Sequence, residues 1–348
     1  MKTIQIGDRL VGDGQPCFIV AEAGVNHNGR LDLAKKLVEI AAVAGADAVK
    51  FQKRTIEDIL IHEMLERPYT TPTSLGATYG QHRQKLELSN EDYWELLTHC
   101  RERGIMFLAS AWDMKSADFL EDLGMPAFKV ASADLTNLPL LEHIAKKKRP
   151  MIVSTGMSTL DEVEEAVNTI RDFHNELILL HCVSTYPCEN EEVNLRVIKT
   201  LRDTFDVPVG YSGHERGIAI PVAAALCGAV VLEKHFTVDR TMPGPDHAAS
   251  LELQGLERLV RYIRIIEKSM GSSEKRILES EKPVRDRLAK SIVAKCDIPR
   301  GTLITEDMLT VKGPGNGLKP SHLGLLCDRV ARIDIKRDTL IPKEALEW

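Results

Sequence analysis

Two lysines, Lys50 and Lys129, stand inside apolar runs, AVKFQ and AFKVAS. An unpaired buried amine costs several kcal/mol or gives up its proton. Either each lysine has an internal carboxylate partner, for which Glu22 and Asp134 are candidates, or the pair awaits an anionic ligand. Hydroxyls recur at comparable places: Ser110, Ser132, Ser154, Ser184, Tyr186 and Ser212 each follow or close an apolar run, as does the amide of Gln52. A lone serine there is ordinary turn chemistry. The full set suits the orientation of a phosphate and a carboxylate, with a Schiff-base lysine as the chemical competitor. His214 and His235 close two successive runs, so their imidazoles are placed to share a divalent ion whose remaining positions are water or substrate, or else to act as ordinary hydrogen-bonded site residues. In LEKHFT, alternation puts Glu233 on His235's face and Lys234 on the opposite one. Asp246, on the constrained loop MPGPDHAAS, is a candidate acid/base or a partner to a histidine. His27, in GVNHNGR, is either a site residue or a turn residue.

Placing these groups together requires their runs to be strands of one sheet. The candidates are residues 17–22, 47–52, 105–110, 127–132, 150–155, 177–182, 207–212 and 229–235. Amphipathic stretches separate them. Ala34, Leu37, Val38 and Ala41 share one helical face, and so do Val163, Ala166, Val167 and Ile170 behind the capping pair Thr159 and Glu162. Alternating strand and helix implies parallel strands, and eight strands in about 250 residues is the dimension of a (β/α)8 barrel, whose site lies at the C-terminal strand ends. A doubly wound open sheet is the alternative. No G-x-G-x-x-G follows the first strand, which argues against a dinucleotide fold.

A net charge of −6 argues against nonspecific binding to nucleic acid or anionic membranes. No run is long and apolar enough to span a bilayer, and MKTIQIGDRL lacks a signal peptide's apolar core. Seven scattered cysteines without a CxxC pair indicate neither a disulfide framework nor a zinc knuckle, so a cytoplasmic location is expected. From Lys53 to Ser89 no strand is evident, and a connection of that length reads as a functional lid or an insert. After residue 270 a polar linker, 271–284, leads into a small β-rich domain at 285–348. Its phrases DIPRGTLITEDML and DIKRDTLIPKEAL look like an internal repeat.

The phrases AEAGVNHNG, VKFQK, FKVASAD, IVSTGMS, LLHCVSTYP, VGYSGHE, LEKHFT and GPDHAASL, in this order, resemble the sialic acid synthase family. KSIVAKCDIPRGTLITEDMLTVK resembles its C-terminal antifreeze-like (SAF) domain. The resemblance implies a (β/α)8 barrel followed by an SAF domain, in a homodimer where each SAF domain covers the partner's barrel mouth. It also implies condensation of phosphoenolpyruvate with an N-acylmannosamine or its 6-phosphate, giving a nonulosonic acid and inorganic phosphate. Carried over by motif, it makes Lys50, Lys129, Ser110, Ser132, Ser154, Ser184 and Ser212 the phosphoenolpyruvate site. His214 and His235 become ligands of Mn2+ or Mg2+. Glu22, Gln52, Asp134, Tyr186 and Asp246 become acceptor or catalytic positions, with Glu22 placing the water that adds to C2.

One departure bears on the acceptor. Family members that take the free sugar carry an Arg in R-P-G-N-G, where this chain has Gly313. ERPYT and TYGQH instead resemble the animal-type enzymes that take the 6-phosphate. The segment 54–88 supplies Arg67, His82, Arg83 and Lys85, and Arg287 stands beside the SAF domain, so Arg67, Arg83 and Arg287 are candidate phosphate contacts. A related nonulosonic acid (legionaminic, pseudaminic or KDN type), a Schiff-base aldolase, and an ice- or glycan-binding role for the C-terminal module are the competing readings.

Overall fold

A computed structural model describes residues 2–71 and 74–345. It opens with a hairpin of β1 (Thr3–Ile6) and β2 (Arg9–Gly12), paired antiparallel. The hairpin's alternation sends Ile4, Ile6 and Val11 into the main core. Lys2 pairs with Asp206, just ahead of a barrel strand, so the hairpin lies on the side where strands begin.

Eight parallel strands then close on themselves: β3 (Phe18–Gly24), β4 (Ala48–Lys53), β5 (Met106–Ala111), β6 (Phe128–Val130), β7 (Met151–Ser154), β8 (Leu177–Cys182), β9 (Val209–Gly213) and β10 (Val231–His235), with β10 pairing β3. Strands covered on both faces read as continuous apolar runs rather than alternating ones. That is why each was legible, and why the observed ends differ from the expected ones by only a few residues. Register fixes the site's level. His235 is the neighbour of Glu22, Glu22 of Lys50, Ser110 of Lys129, and Glu233 of Ser212.

Helices cover the barrel by the faces their spacing predicts. The helix Leu31–Ala44 buries Ala34, Leu37, Val38 and Ala41 and ends at Gly45, whose φ of 79° suits the left-handed cap. Leu160–Arg171 buries Val163, Ala166, Val167 and Ile170, and Thr159 and Glu162 form the reciprocal capping box. The connection from β4 to the helix Asn90–Arg103 carries the short helices Ile56–Ile59, His62–Glu66 and Tyr79–Gln84 and a bridge between Pro68 and Thr78. His82 leaves the expected cationic set: burial lowers its pKa, its ring packs 4.7 Å from Tyr69, and its Nδ1 accepts the Leu75 N–H.

Contacts divide the chain into one unit ending at Gly271 and a second beginning at Ser272. In the second, the helix Lys282–Leu288 occupies the end of the stretch read as linker and is followed by β11 (Ser291–Ala294) and β12 (Leu309–Lys312). The two similar phrases pair with each other. Ile298 and Ile335 exchange backbone hydrogen bonds of 2.8 and 2.9 Å. Asp334 accepts from Arg300 N–H at 2.7 Å, and Asp297 from Arg337 N–H at 2.8 Å. The same four-residue phrase, DIPR or DIKR, thus caps its own counterpart, a local twofold written in the repeat.

Candidate active site

The strand ends enclose a cavity of about 200 Å3 whose wall includes Glu22, Lys50, Gln52, Ser110, Lys129, Ser132, Ser154, Ser184, Tyr186, Ser212, His214 and His235. Twelve positions spread over more than 200 residues of sequence therefore meet. The wall also holds residues not proposed as site residues, among them Trp112, Met157, Cys182 and Glu233.

Both lysines are buried. Lys50 Nζ donates to Ser110 Oγ at 2.9 Å and lies 2.8 Å from Glu22 Oε2 and 3.7 Å from Glu233 Oε2. Lys129 Nζ donates to Ser154 Oγ at 2.7 Å and to the Val130 carbonyl at 2.8 Å, and its nearest carboxylate, Glu233, is 4.0 Å away. The carboxylate alternative holds for Lys50 through Glu22. Asp134 pairs with neither lysine. Burial lowers the pKa of both amines. For Lys50 the two glutamates outweigh that effect and the net shift is upward; Lys129 stays lowered.

The two carboxyls are driven apart. Burial raises Glu22, with Lys50 opposing, whereas for Glu233 the raising effect of burial is overcome by Lys129 and Lys50 and its pKa ends well below the usual range. Ser212 Oγ donates to Glu233 at 3.1 Å, and Gln52 Nε2 to Glu22 at 2.9 Å. The two carboxyls thus differ in proton affinity, Glu22 the higher and Glu233 the lower.

Below them, Gly156 N–H donates to Ser132 Oγ at 3.1 Å. A Cβ on Gly156 would collide with Ser184 Oγ and come within 2.8 Å of Ser132 Oγ. The glycine of STGMS is thus what lets the two hydroxyls crowd the backbone.

His214 and His235 have ring centroids 5.5 Å apart, with the Tyr186 ring against both. His214 Nδ1 sits 2.7 Å from the Val183 carbonyl, which fixes the N–H there and leaves Nε2 with its lone pair. His235 Nδ1 is buried without a hydrogen-bond partner, 3.8 Å from Asp246 Oδ2, and burial lowers its pKa to about 4 despite Asp246. Among the described residues no cluster of three or more ligating side chains occurs. Two adjacent imidazoles, each with a ring nitrogen free of a hydrogen-bond partner, fit an ion that completes its shell with water and substrate.

Of the remaining expected residues, those of the first unit lie outside this wall. Asp246 stands behind His235. Asp134 does not reach the main cavity; the turn Ser132–Asp134 carries it into a neighbouring hollow with Asp113 and Asn137, and burial raises its pKa to about 6. Trp112 is the wall shared by both hollows. Arg67 and Arg287 are exposed, and Arg83 is half-buried beside Trp112. His27 is buried, takes the turn role by accepting the Gly29 N–H, and does not line the cavity. Lys234 points away from the cavity and pairs with Glu215 at 2.8 Å, while Tyr211 donates to the same carboxylate at 2.5 Å. Glu233 could have been found from its period-two relation to His235. Nothing local distinguished Trp112 or Cys182.

A closed parallel barrel with two buried amines, a divided carboxyl pair and a hydroxyl-lined cavity at its strand ends defines a barrel enzyme acting on a small anionic substrate. The chain belongs to the NeuB family, whose model matches residues 37–275, and an SAF domain model matches residues 289–347. It is 45% identical over 97% of its length to the Homo sapiens N-acetylneuraminate-9-phosphate synthase, 95% of which is covered. It is 44% identical over 93% of its length to the Campylobacter jejuni N,N'-diacetyllegionaminic acid synthase, 98% of which is covered. Among solved structures, the Leptospira borgpetersenii N-acetylneuraminic acid synthetase in complex with citrate is 34% identical, with a TM-score of 0.72 over 81% of this chain and 95% of that one.

Proposed function

We propose that this enzyme condenses phosphoenolpyruvate with N-acetylmannosamine 6-phosphate, giving N-acetylneuraminate 9-phosphate and inorganic phosphate. The observation that carries the reading is the placement of Lys50 and Lys129, buried amines at adjacent levels around Glu233, facing a hydroxyl-lined cavity. In this reading the lysines bind the phosphoenolpyruvate anion, and Ser110, Ser132, Ser154, Ser184 and Ser212 orient it. Its C3 attacks the acceptor aldehyde, the enol electron pair forms the new C–C bond, and C2 becomes cationic. Glu22, whose pKa burial raises, is the group we assign to delivering a proton to the former aldehyde oxygen. Ionised Glu233 takes a proton from the water that adds to C2. The C2–O bond to phosphate then breaks, and the remaining C2 hydroxyl loses its proton as the ketone forms. This divides between two carboxyls the work expected of Glu22 alone. His214 and His235 would hold a divalent cation, Mn2+ or Mg2+, which supplies Lewis-acid polarisation of the acceptor aldehyde when bound. Asp246 supports His235 rather than touching the reacting atoms.

The 6-phosphate rests on the human relative and on Gly313, where family members that take the free sugar carry Arg. The nearly equal identity to the legionaminic acid synthase favours a second reading, an unphosphorylated acceptor with a different N-acyl pattern. A phosphate-release assay across a panel of acceptors separates them. Two charge-assisted bonds to a phosphate contribute about 3–6 kcal/mol, so kcat/KM should favour the 6-phosphate by about two orders of magnitude. Equal efficiency on the free sugar overturns the assignment. The reading extends to a homodimer whose SAF domain covers the partner's barrel mouth, and to a reducing, cytoplasmic setting suited to seven free cysteines. Among the described residues, no helix is long and apolar enough to cross a membrane.

A further inference from the structure

Beside the main cavity the chain gathers unpaired donors that the condensation chemistry does not use. Arg54 is almost fully buried. Its Nε donates to Glu87 Oε1 at 2.7 Å and its Nη1 to Gln52 Oε1 at 3.3 Å, while Nη2 has no partner. The Trp112 ring lies 5.4 Å from the Arg54 guanidinium and 6.0 Å from that of Arg83. Trp112 Nε1 and Arg83 Nε are likewise buried without partners. Arg83 has no carboxylate at ion-pair distance among the described residues, and burial lowers its pKa. Lys53 stands close by, its Nζ on the Leu88 carbonyl. The carboxylate that all three cations bear on is Glu87. Of the two guanidiniums, only Arg54 has a carboxylate at ion-pair distance among the described residues, so Arg83 has no direct counterion. Buried charge of that kind calls for a counterion, and buried N–H groups call for acceptors.

We propose that Arg54, Arg83 and the Trp112 N–H form the subsite for a phosphate monoester on the acceptor. Three unpaired N–H groups match the three terminal oxygens, and a guanidinium without a direct carboxylate partner suits an anion. The subsite is also correctly placed. Gln52 bridges Glu22, at the reacting end, to Arg54, so a sugar chain laid across Gln52 brings its aldehyde to Glu22 and its far end to Arg54. Glu87 is a positioning residue that holds Arg54 extended. This assignment rests on the 6-phosphate reading above. It replaces Arg67 and Arg287 as phosphate contacts and adds Arg54, which the sequence did not single out.

The test compares the full-length wild type with Arg83→Met, which keeps bulk against Trp112, and with the double variant Arg54→Gln/Glu87→Gln, which keeps a neutral hydrogen bond in place of the ion pair. Folding is checked by melting curves. For each protein, kcat/KM is measured for N-acetylmannosamine 6-phosphate and for the free sugar, with the KM for phosphoenolpyruvate. The ratio of the two sugar efficiencies should fall about tenfold or more in each variant, with the loss in KM for the phosphorylated sugar and the phosphoenolpyruvate KM within about twofold. A wild type that prefers the 6-phosphate alongside variants that keep the full preference would overturn the subsite and leave the reaction standing. A rise in the phosphoenolpyruvate KM with no change in the sugar ratio would also overturn it. A wild type with no preference overturns the 6-phosphate reading and the subsite together.

Discussion

Lys129 Nζ is held by two neutral oxygens, with its nearest carboxylate at 4.0 Å. Lys234 Nζ, equally buried, is closed off by both the carbonyl and the carboxylate of Glu215. Replacing Lys129 by Met removes a desolvated charge and loses at least two charge-assisted bonds to substrate. The melting temperature should hold or rise while kcat/KM falls about 100-fold or more. Lys234→Met instead strands a buried Glu215 and should cost about 3–5 kcal/mol of stability. Denaturant melts beside phosphate-release kinetics separate the two, and a destabilised Lys129→Met variant would contradict a substrate-binding role for that amine. His27 supplies a pH signature. Burial, helped by Arg54, lowers its pKa to about 3 from an unfolded value of 6.5. The unfolded chain then binds the extra proton, so stability is fully present above pH 6.5 and is lost as pH falls. Between pH 7 and pH 5 that loss is about 2 kcal/mol. His27→Gln should flatten this slope in melts taken across the range. An unchanged slope would mean that the ring is charged in the fold.

Among the elements, β7 and the turn after it show how closely the hydroxyl wall is built. Gly156 is not among the positive-φ glycines, so Gly156→Ala strains no φ; its methyl meets Ser184 Oγ, Ser132 Oγ and, at 3.3 Å, Cys182 Sγ. Displacing two orienting hydroxyls, one of them 2.3 Å from the new methyl, should lower kcat/KM about 100-fold with little change in melting temperature. Full activity in that variant would show that the hydroxyls do not position substrate. At this scale the sequence was informative wherever burial alone shapes the pattern. The barrel strands are sealed on both faces and read as apolar runs, and Thr159 with Glu162 announced a helix start. It was silent where distant partners decide. Arg54 is buried because Glu87 lies 33 residues on, and nothing in FQKRT tells that arginine from an exposed one. Asp134 follows Ser132 by two residues, yet a single turn sends its carboxylate out of the cavity. Alternation placed Glu233 on the same face as His235, but its charge state depends on two lysines from other strands.

Over the whole molecule, the repeat in the second unit was visible as two similar phrases, and its reciprocal hydrogen bonds explain why both copies keep Asp ahead of Ile. The proposed dimer makes that unit part of another chain's site. Mixing a barrel variant, Lys129→Met, with a variant disabled in the SAF domain should recover activity if coverage runs between subunits. No recovery in a verified mixed dimer would confine coverage to one chain.

The proposed chemistry turns on the fate of the bond between C2 and the phosphate oxygen. Turnover of phosphoenolpyruvate carrying 18O at that bridging position, with N-acetylmannosamine 6-phosphate in ordinary water, tests it most directly. Attack of water at C2 followed by C–O cleavage sends the label into inorganic phosphate and leaves the sugar acid unlabelled. Label retained in the sugar acid, with unlabelled phosphate released, would mean P–O cleavage and would contradict the roles assigned to Glu22, Glu233 and the lysine pair.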